Sequence, residues 1–125
     1  MAYALEVIDT PRAEIRRRVR ATLELVGLED KVNAFPHELS GGQQQRAAIA
    51  RALINEPKII FADEPTGNLD SLNARELMEY LVKINEEKHT TIIMVTHDSF
   101  VASYSKKVYY MKDGHLDLSI AVSYT

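Results

Sequence analysis

Apolar residues recur at every third or fourth position near the start of the chain, a spacing that predicts an amphipathic helix. Thr10 is expected to cap this helix, with Pro11 at its first helical position and Gly27 ending it in a left-handed conformation. The apolar positions of the predicted helix are Ile15, Val19, Leu23 and Val26. This face should pack against a core while the polar face meets water.

A second helix is predicted to begin at Ser40-Gly41-Gly42 and to run to about Asn55. Phe35-Pro36 precedes it and breaks any helix that would continue from the first one, and Pro57 closes the segment that follows. The apolar positions of the second helix are Ala47, Ile49, Ala50 and Leu53.

Two short apolar runs, each ending in polar residues, predict parallel strands. Residues 58–62 are almost wholly apolar and are followed by Asp63 and Glu64, which suits a buried strand with its chemistry at the carboxyl end. Thr91–Val95 is a β-branched and apolar run that is followed by the polar residues 96–98.

A third helix is predicted between these strands, with Ser71 as its cap. Its apolar face comprises Leu77, Tyr80, Leu81 and Ile84. Strand, helix and strand at this spacing form a βαβ unit, in which the two strand ends lie side by side at one edge of the sheet. Asp63, Glu64 and His97 are therefore expected to converge at that edge.

The last predicted element is a hairpin. Residues 108–111 and 116–118 are its strands, and Asp113-Gly114 is its turn. Residues 119–125 carry no recognisable signal, and the chain contains no internal repeat.

Composition restricts the class of protein. The 125 residues, 46% hydrophobic and 26% charged, fit one soluble globular domain with a modest core. A formal net charge of −3 gives no support for nucleic acid or an anionic membrane as a partner. The absence of cysteine excludes a disulfide framework and a thiolate metal site, and it fits the cytoplasm. No apolar stretch approaches the roughly 20 residues that span a bilayer, so any membrane association should be peripheral.

Five arginines crowd the first helix, in contrast to the acidic chain as a whole. They are Arg12, Arg16, Arg17, Arg18 and Arg20. A solvated helix face explains such a cluster, since long charged side chains usually face water. Contact with a partner is the alternative.

The start of the second helix is a candidate anion site. In Ser40-Gly41-Gly42-Gln43, adjacent glycines allow a ligand to approach the backbone, and the unpaired N–H groups with the helix dipole favour an anion such as phosphate. Plain helix capping by Ser40 explains the same residues without any ligand.

The pair Asp63 and Glu64 is a candidate site for Mg²⁺ and for activating water. Phosphoanhydride cleavage needs such groups because its barrier is lowered mainly by charge stabilisation and alignment. Two solvated turn residues are the alternative, but His97 at the neighbouring strand end favours a site. The other histidines have no partner at ligand spacing, so zinc is not supported.

Four segments together resemble the motifs of ATP-binding-cassette (ABC) ATPases. Residues 39–46, LSGGQQQR, resemble the signature motif, and residues 58–65, KIIFADEP, are similar to the Walker B strand with its catalytic glutamate. Residues 67–70, GNLD, are similar to the D-loop, and His97 falls where the switch histidine belongs. The motifs stand in the family's order, and the resemblance extends to about Gly114. The form PTGNLD resembles the cassettes of lipoprotein-release, cell-division and macrolide or antimicrobial-peptide export systems.

The resemblance implies a role for each site residue. Asp63 would hold Mg²⁺ through water, Glu64 would polarise the attacking water, and His97 would contact the γ-phosphate of ATP. The γ-phosphate of ATP held by an opposite protomer would be bound by Ser40, Gly41, Gly42 and Gln43. Asp70 would connect the two sites across the dimer, so that each site is shared.

The chain also departs from the family pattern. No G-x-x-x-x-G-K-[ST] sequence occurs among its five glycines, so the phosphate cradle of the family is not present in these residues. The P-loop lysine, the adenine-stacking aromatic residue and the glutamine loop belong to the same upstream half of the family's domain. The chain alone is therefore expected to bind ATP weakly and to hydrolyse it negligibly.

The sequence thus predicts an α/β fold: a partial P-loop NTPase sheet of ABC type, preceded by a helical segment. Residues 1–57 would be the helical subdomain segment with the signature motif, and residues 58–125 the C-terminal part of the RecA-like core. The expected partners are a second ABC protomer or an N-terminal half, and a transmembrane permease at the inner face of the cell membrane. A self-associating, non-catalytic module and a phosphate-binding protein that uses the Ser40 helix start alone are the alternative hypotheses.

Overall fold

A computed structural model describes residues 11–119, and they form four α-helices and four strands. The elements, in chain order, are α1 (Arg12–Leu25), α2 (Gly41–Leu53), β1 (Ile59–Asp63), α3 (Ser71–Lys88), β2 (Thr91–Val95), α4 (Ser99–Ala102), β3 (Val108–Lys112) and β4 (His115–Ser119). Two short 3₁₀ turns, Glu29–Lys31 and Pro36–Glu38, lie between α1 and α2.

The predicted helices are all present, with small corrections at their ends. Helix α1 begins at Arg12, and Pro11 is its N-cap rather than its first residue, while Thr10 lies outside the described residues. Gly27 has the expected left-handed backbone, with φ of 70°. Helix α2 ends at Leu53, two residues before the predicted end.

The cap of α3 was wrongly predicted. Asp70, not Ser71, is the N-cap, because the Asp70 carboxylate accepts from the backbone N–H of Asn73 at 2.8 Å. Both residue types cap helices well, and local sequence does not distinguish two neighbouring candidates. On the predicted apolar face, Leu77, Leu81 and Ile84 are buried, while Tyr80 is half-buried.

The two predicted parallel strands pair with each other along their whole length. The register runs from Ile59 opposite Thr91 to Asp63 opposite Val95. The interpretation of β1 as a buried strand holds for one face only: Ile60 lies in the core, whereas Phe61 on the other face is 77% exposed. The described residues thus form a sheet with helices on one side and an apolar bare side.

The C-terminal hairpin is confirmed. Strands β3 and β4 pair antiparallel, with Val108 opposite Ser119 and Lys112 opposite His115. Asp113 and Gly114 both have positive φ, 50° and 78°, as a two-residue hairpin turn requires. Helix α4 was not anticipated: the Asp98 side chain caps it by accepting from the N–H of Phe100 at 2.9 Å.

One hydrophobic cluster joins the segments on both sides of the predicted boundary at residue 57. Its buried members are Leu23, Val26, Leu28, Ala50, Leu53, Ile60 and Ile84. The division into two segments remains a prediction, since these residues show only that both segments contribute to the same core. Among the described residues, no helix is both long enough and apolar enough to cross a membrane.

Gly27 is predicted to be required both for its backbone conformation and for space. A β-carbon there would lie 2.2 Å from the hydroxyl oxygen of Tyr80. Gly27→Ala should therefore lower the free energy of unfolding, measured by urea denaturation, by roughly 2 kcal/mol or more. Gly114→Ala is the matched control: φ is similar, but nothing lies within 4 Å of the added carbon, so only strain of about 1 kcal/mol is expected. Equal losses in the two variants would contradict the steric argument.

The arginine-rich helix carries an internal ion cluster that makes stability depend on pH. Hydrogen bonds from Arg17, and next from Arg18, lower the pKa of Glu14 from 4.5 to about 2. A carboxyl group whose pKa is lowered on folding stabilises the protein above its unfolded pKa, and this stabilisation disappears as pH falls from 4.5 towards 2.

We therefore expect Glu14→Gln to lower the melting temperature slightly at neutral pH and to have no effect near the acid end of that window. Glu24→Gln removes the same charge from the exposed part of the same helix and serves as the control. A pH-independent effect of Glu14→Gln in thermal unfolding would show that the ion cluster is not its cause.

Candidate functional site

Glu64 lies where the two parallel strands end, and its carboxylate joins them. The backbone N–H of Glu64 donates to the carbonyl oxygen of Val95 at 2.8 Å, so strand pairing continues to this residue. Its Oε1 accepts from the backbone N–H of His97 at 3.0 Å and lies 2.6 Å from Nδ1 of the His97 ring. Its Oε2 accepts from the Thr96 hydroxyl at 3.3 Å. The predicted convergence is confirmed for Glu64 and His97, whereas Asp63, the last residue of β1, forms no side-chain hydrogen bond with either of them in the described residues.

The backbone of Glu64 is in the left-handed region, with φ of 46°. Such a conformation costs a non-glycine residue of order 1–3 kcal/mol and is typical of functional sites. The turn that follows is closed by the N–H of Gly67, which donates to the carbonyl oxygen of Glu64 at 3.0 Å. The strand end, the turn and the side-chain bonds together hold the carboxylate in one orientation.

The His97 ring is positioned by Glu64 but open to a ligand. Its side chain is 91% exposed, while that of Glu64 is 34% exposed. A carboxylate only accepts hydrogen bonds, so Nδ1 carries the proton and Nε2 of a neutral ring is an acceptor. In a protonated ring, Nε2 would instead donate to an anion.

Asp63 is the last residue of β1 and is exposed beside Glu64. In the part of the chain that the structure describes, no three acidic or histidine side chains are grouped for a metal ion. A single carboxylate at this edge still fits Mg²⁺, which keeps several waters and is usually held by one or two carboxylates together with substrate phosphates. The metal role of Asp63 remains a prediction.

The start of α2 contains a complete capping box. The Ser40 hydroxyl accepts from the N–H of Gln43 at 3.1 Å, and the Gln43 side chain accepts from the N–H of Ser40 at 3.0 Å. The capping interpretation is therefore satisfied. It does not exclude an anion, because the N–H groups of Gly41 and Gly42 lie in the first turn and have no acceptor within the helix.

Two residues of the same helix connect it to its surroundings. Gln45 donates from Nε2 to the carbonyl oxygen of Pro65 at 3.0 Å, which ties α2 to the turn after Glu64. Arg46 is only 11% exposed. It donates to the carbonyl oxygen of Val26 at 3.0 Å.

Arg46 also joins α2 to α3. Its guanidinium lies 4.9 Å from the centre of the Tyr80 ring and 3.5 Å from Oε1 of Glu76. A largely buried planar cation with a carbonyl, an aromatic face and a carboxylate around it is well satisfied. Arg46 therefore fixes the end of α1, the middle of α2 and the face of α3 relative to one another.

Asp70 begins α3 next to the Ser-Gly-Gly helix start. Its Oδ1 caps the helix, and its Oδ2 accepts from Nδ2 of Asn73 at 3.1 Å. The side chain is exposed, but its bonds lie within its own chain. Its proposed contact across a dimer remains a prediction.

Sequence reasoning assigned no role to four residues that support this site: Gln45, Arg46, Asn73 and Thr96. Gln45 and Arg46 lie in the segment that resembles the signature motif, and Thr96 follows an apolar strand. Neither pattern indicates which groups these side chains contact. The partners of Gln45 and Arg46 lie 20 positions away in sequence, and that of Thr96 lies 32 away. No local pattern reports such contacts.

A groove of about 290 Å³ lies elsewhere, between the end of α1, the end of α2 and Lys88. None of the candidate site residues lines it. The candidate site is thus an open surface at a sheet edge, an arrangement that suits a ligand covered by a second body.

Comparison with known proteins gives the family. Residues 3–67 match the family model described as ABC transporter. This match covers more than half of the chain, and the chain belongs to the ABC transporter family.

The similar curated proteins are ATP-binding subunits of this family. The cell division ATP-binding protein FtsE of Streptococcus pneumoniae serotype 2 is 56% identical over 103 residues, which are 82% of this chain and 44% of that protein. The lipoprotein-releasing system ATP-binding protein LolD of Aquifex aeolicus is 52% identical over 104 residues, 83% of this chain and 46% of that protein. The resemblance stated from the motifs is confirmed. The chain spans about half the length of the curated relatives it matches.

Solved structures confirm the fold class. The dimeric bacterial ABC transporter cassette MJ0796 matches with a TM-score of 0.70 and 47% identity, over 86% of this chain and 47% of that one. The cbiO1 protein of Clostridium perfringens, part of the ABC transporter complex cbiONQ, matches with a TM-score of 0.87 and 38% identity, over 92% of this chain and 46% of that one. The described elements are therefore part of an α/β P-loop NTPase cassette.

Proposed function

We propose that this chain supplies the hydrolytic edge and the signature helix of an ABC transporter ATPase, and that it acts only together with the N-terminal half of such a cassette. The observation that carries the proposal is the junction of Glu64 with His97 at two paired strand ends. This arrangement presents an acid and an imidazole to one point at the carboxyl edge of a parallel sheet, where α/β proteins bind ligands.

We assign one role to each of the three residues at this edge. Asp63 would hold Mg²⁺, which supplies charge neutralisation for the phosphates of ATP when it is bound. Glu64 would accept a hydrogen bond from the attacking water and orient it, and His97 would contact the γ-phosphate. Phosphoryl transfer depends almost entirely on such positioning and charge stabilisation.

The helix start would act on a second nucleotide. The N–H groups of Gly41 and Gly42, with the Ser40 hydroxyl and Gln43, would bind the γ-phosphate of ATP held by another protomer. The dimeric state of the MJ0796 cassette supports this assignment by analogy. Asp70, at the start of the adjacent helix, would connect the two shared sites.

The bare side of the sheet supports the need for another half. Its exposed side chains are Ile59, Phe61, Ile93 and Val95. Exposed apolar groups of this size on one face of a sheet mark a surface that another body covers. The 125 residues contain no phosphate-binding P-loop motif, and the cassettes that the chain matches are about twice as long. The N-terminal half of a cassette would cover the face and bring the P-loop.

Mixing the chain with the N-terminal half of a cassette tests this proposal. The chain alone should release phosphate from ATP at background level, and adding a separately expressed N-terminal half of a cassette relative should restore Mg²⁺-dependent hydrolysis. Glu64→Gln in the mixture should lower kcat at least ~100-fold, because it removes the carboxylate that orients water. Glu86→Gln, the same change at an exposed residue of α3 away from the sheet edge, is the control. Robust hydrolysis by the chain alone, or hydrolysis that survives Glu64→Gln, would contradict the assigned roles.

The same sheet face favours a second candidate, a non-catalytic module that self-associates. Light scattering of the chain alone should then show a mass that rises with concentration, and Phe61→Ser should reduce it because Phe61 is the most exposed large apolar residue of this face. Leu72→Ser, at an exposed apolar residue of α3, is the matched control. A monomer over a wide concentration range would rule out self-association and leave the two-part ATPase.

The transmembrane partner and the location belong to the same proposal. ABC ATP-binding subunits work with permeases, so the complete protein is expected at the cytoplasmic face of the cell membrane, bound to a transmembrane subunit. The exposed residues Arg12, Arg16 and Arg20 of α1 are candidates for that contact, because no ion pair within the described residues engages them.

A further inference from the structure

The second glycine of the helix start lies against a side chain that no motif includes. A β-carbon added to Gly42 would lie 2.8 Å from Oδ1 and 3.2 Å from Cγ of Asn73. Real β-carbons essentially never come that close to another atom, and Gly42 is buried. A β-carbon at position 42 would therefore require the Asn73 amide to move.

Gly41, the adjacent glycine, has space for a β-carbon. A β-carbon added to Gly41 would have Cδ2 of Leu69 as its nearest neighbour, at 3.8 Å, which is ordinary van der Waals contact. Gly41 is also exposed. The tight fit is therefore specific to Gly42 and does not follow from helix geometry alone.

The other end of the same amide holds Asp70. Nδ2 of Asn73 donates to Oδ2 of Asp70 at 3.1 Å, while the backbone N–H of Asn73 donates to Oδ1 at 2.8 Å. One planar group thus has its oxygen packed on Gly42 and its nitrogen bonded to Asp70. Because the amide is rigid, moving either neighbour displaces the other.

We propose that Asn73 is a positioning residue that couples the Ser-Gly-Gly helix start to Asp70 within one protomer. The coupling itself is a packing property of the chain. Its consequence rests on the proposed function, in which the helix start meets one nucleotide and Asp70 lies between the two shared sites. A shift of the helix start at one site would then move Asp70 relative to the second site.

The first test uses the chain alone and no nucleotide. In two-dimensional NMR spectra, Gly42→Ala should displace the side-chain amide signals of Asn73, because the new methyl group pushes the amide off Asp70. Gly41→Ala adds the same group one residue earlier and should leave those signals in place. Equal displacement by both substitutions, or none by either, would overturn the proposal.

The second test is a double-mutant cycle in urea denaturation. Gly42→Ala should reduce the folding equilibrium constant by roughly tenfold in the native chain, and by less than about threefold in an Asn73→Ala background, where the obstructing amide is gone. Asn73→Ala still allows Asp70 to cap α3 through the backbone N–H of residue 73, so the background variant is expected to fold. Equal losses in both backgrounds would overturn the proposal.

The third test separates positioning from simple packing. In the mixture with an N-terminal half, Asn73→Ala should lower kcat by roughly tenfold and leave KM for ATP within about twofold, because Asn73 does not reach the ligand but sets the groups that do. An unchanged kcat would overturn the coupling. Failure of every mixture to hydrolyse ATP would instead count against the proposed function, since the first two tests need no activity.

Discussion

The parallel pairing of β1 with β2 is the interaction on which both the core and the candidate site depend. It places Ile60 beside Ile92 on the helix-covered face, where Ile60 is buried and Ile92 packs against the core. The same register continues one bond further, from Glu64 to Val95, and so brings Glu64 to His97. A slip of one residue would turn Ile60 to the bare side and would move Glu64 away from the histidine, because strand side chains alternate between faces. Fold and chemistry are thus set by a single register.

Much of this arrangement could be predicted from sequence, because the relevant signals are local. Apolar spacing located α1, α2 and α3, and the polar residues after the two apolar runs located the edge that carries the candidate site. The choice between Asp70 and Ser71 as a cap could not be made, since both fit the same local chemistry. The contacts of Arg46 with Val26 and Tyr80 were also beyond sequence reasoning, because they exist only after the helices have packed.

The helix start illustrates how one set of residues serves two physical needs. Ser40 and Gln43 satisfy each other in a capping box, which stabilises the helix without a ligand. That bond leaves the positive end of the helix dipole and the glycine N–H groups directed outward. Gly42 has a further requirement, since a side chain there would displace the Asn73 amide. A preference for glycine at this position therefore follows from packing as well as from close approach of a phosphate.

The bare face of the sheet and the edge that carries the candidate site adjoin each other. Phe61 lies on the exposed face, two residues or about 7 Å of extended chain before β1 ends at Asp63, and Glu64 follows directly. Any body large enough to cover Ile59, Phe61, Ile93 and Val95 must therefore reach close to the carboxyl edge. Burial of the face would provide the hydrophobic driving force for such an association, while the polar groups at the edge would contribute little to it. Under the proposed function, completing the core and completing the site would therefore be one event, because burial of this face would bring the partner's groups to the edge.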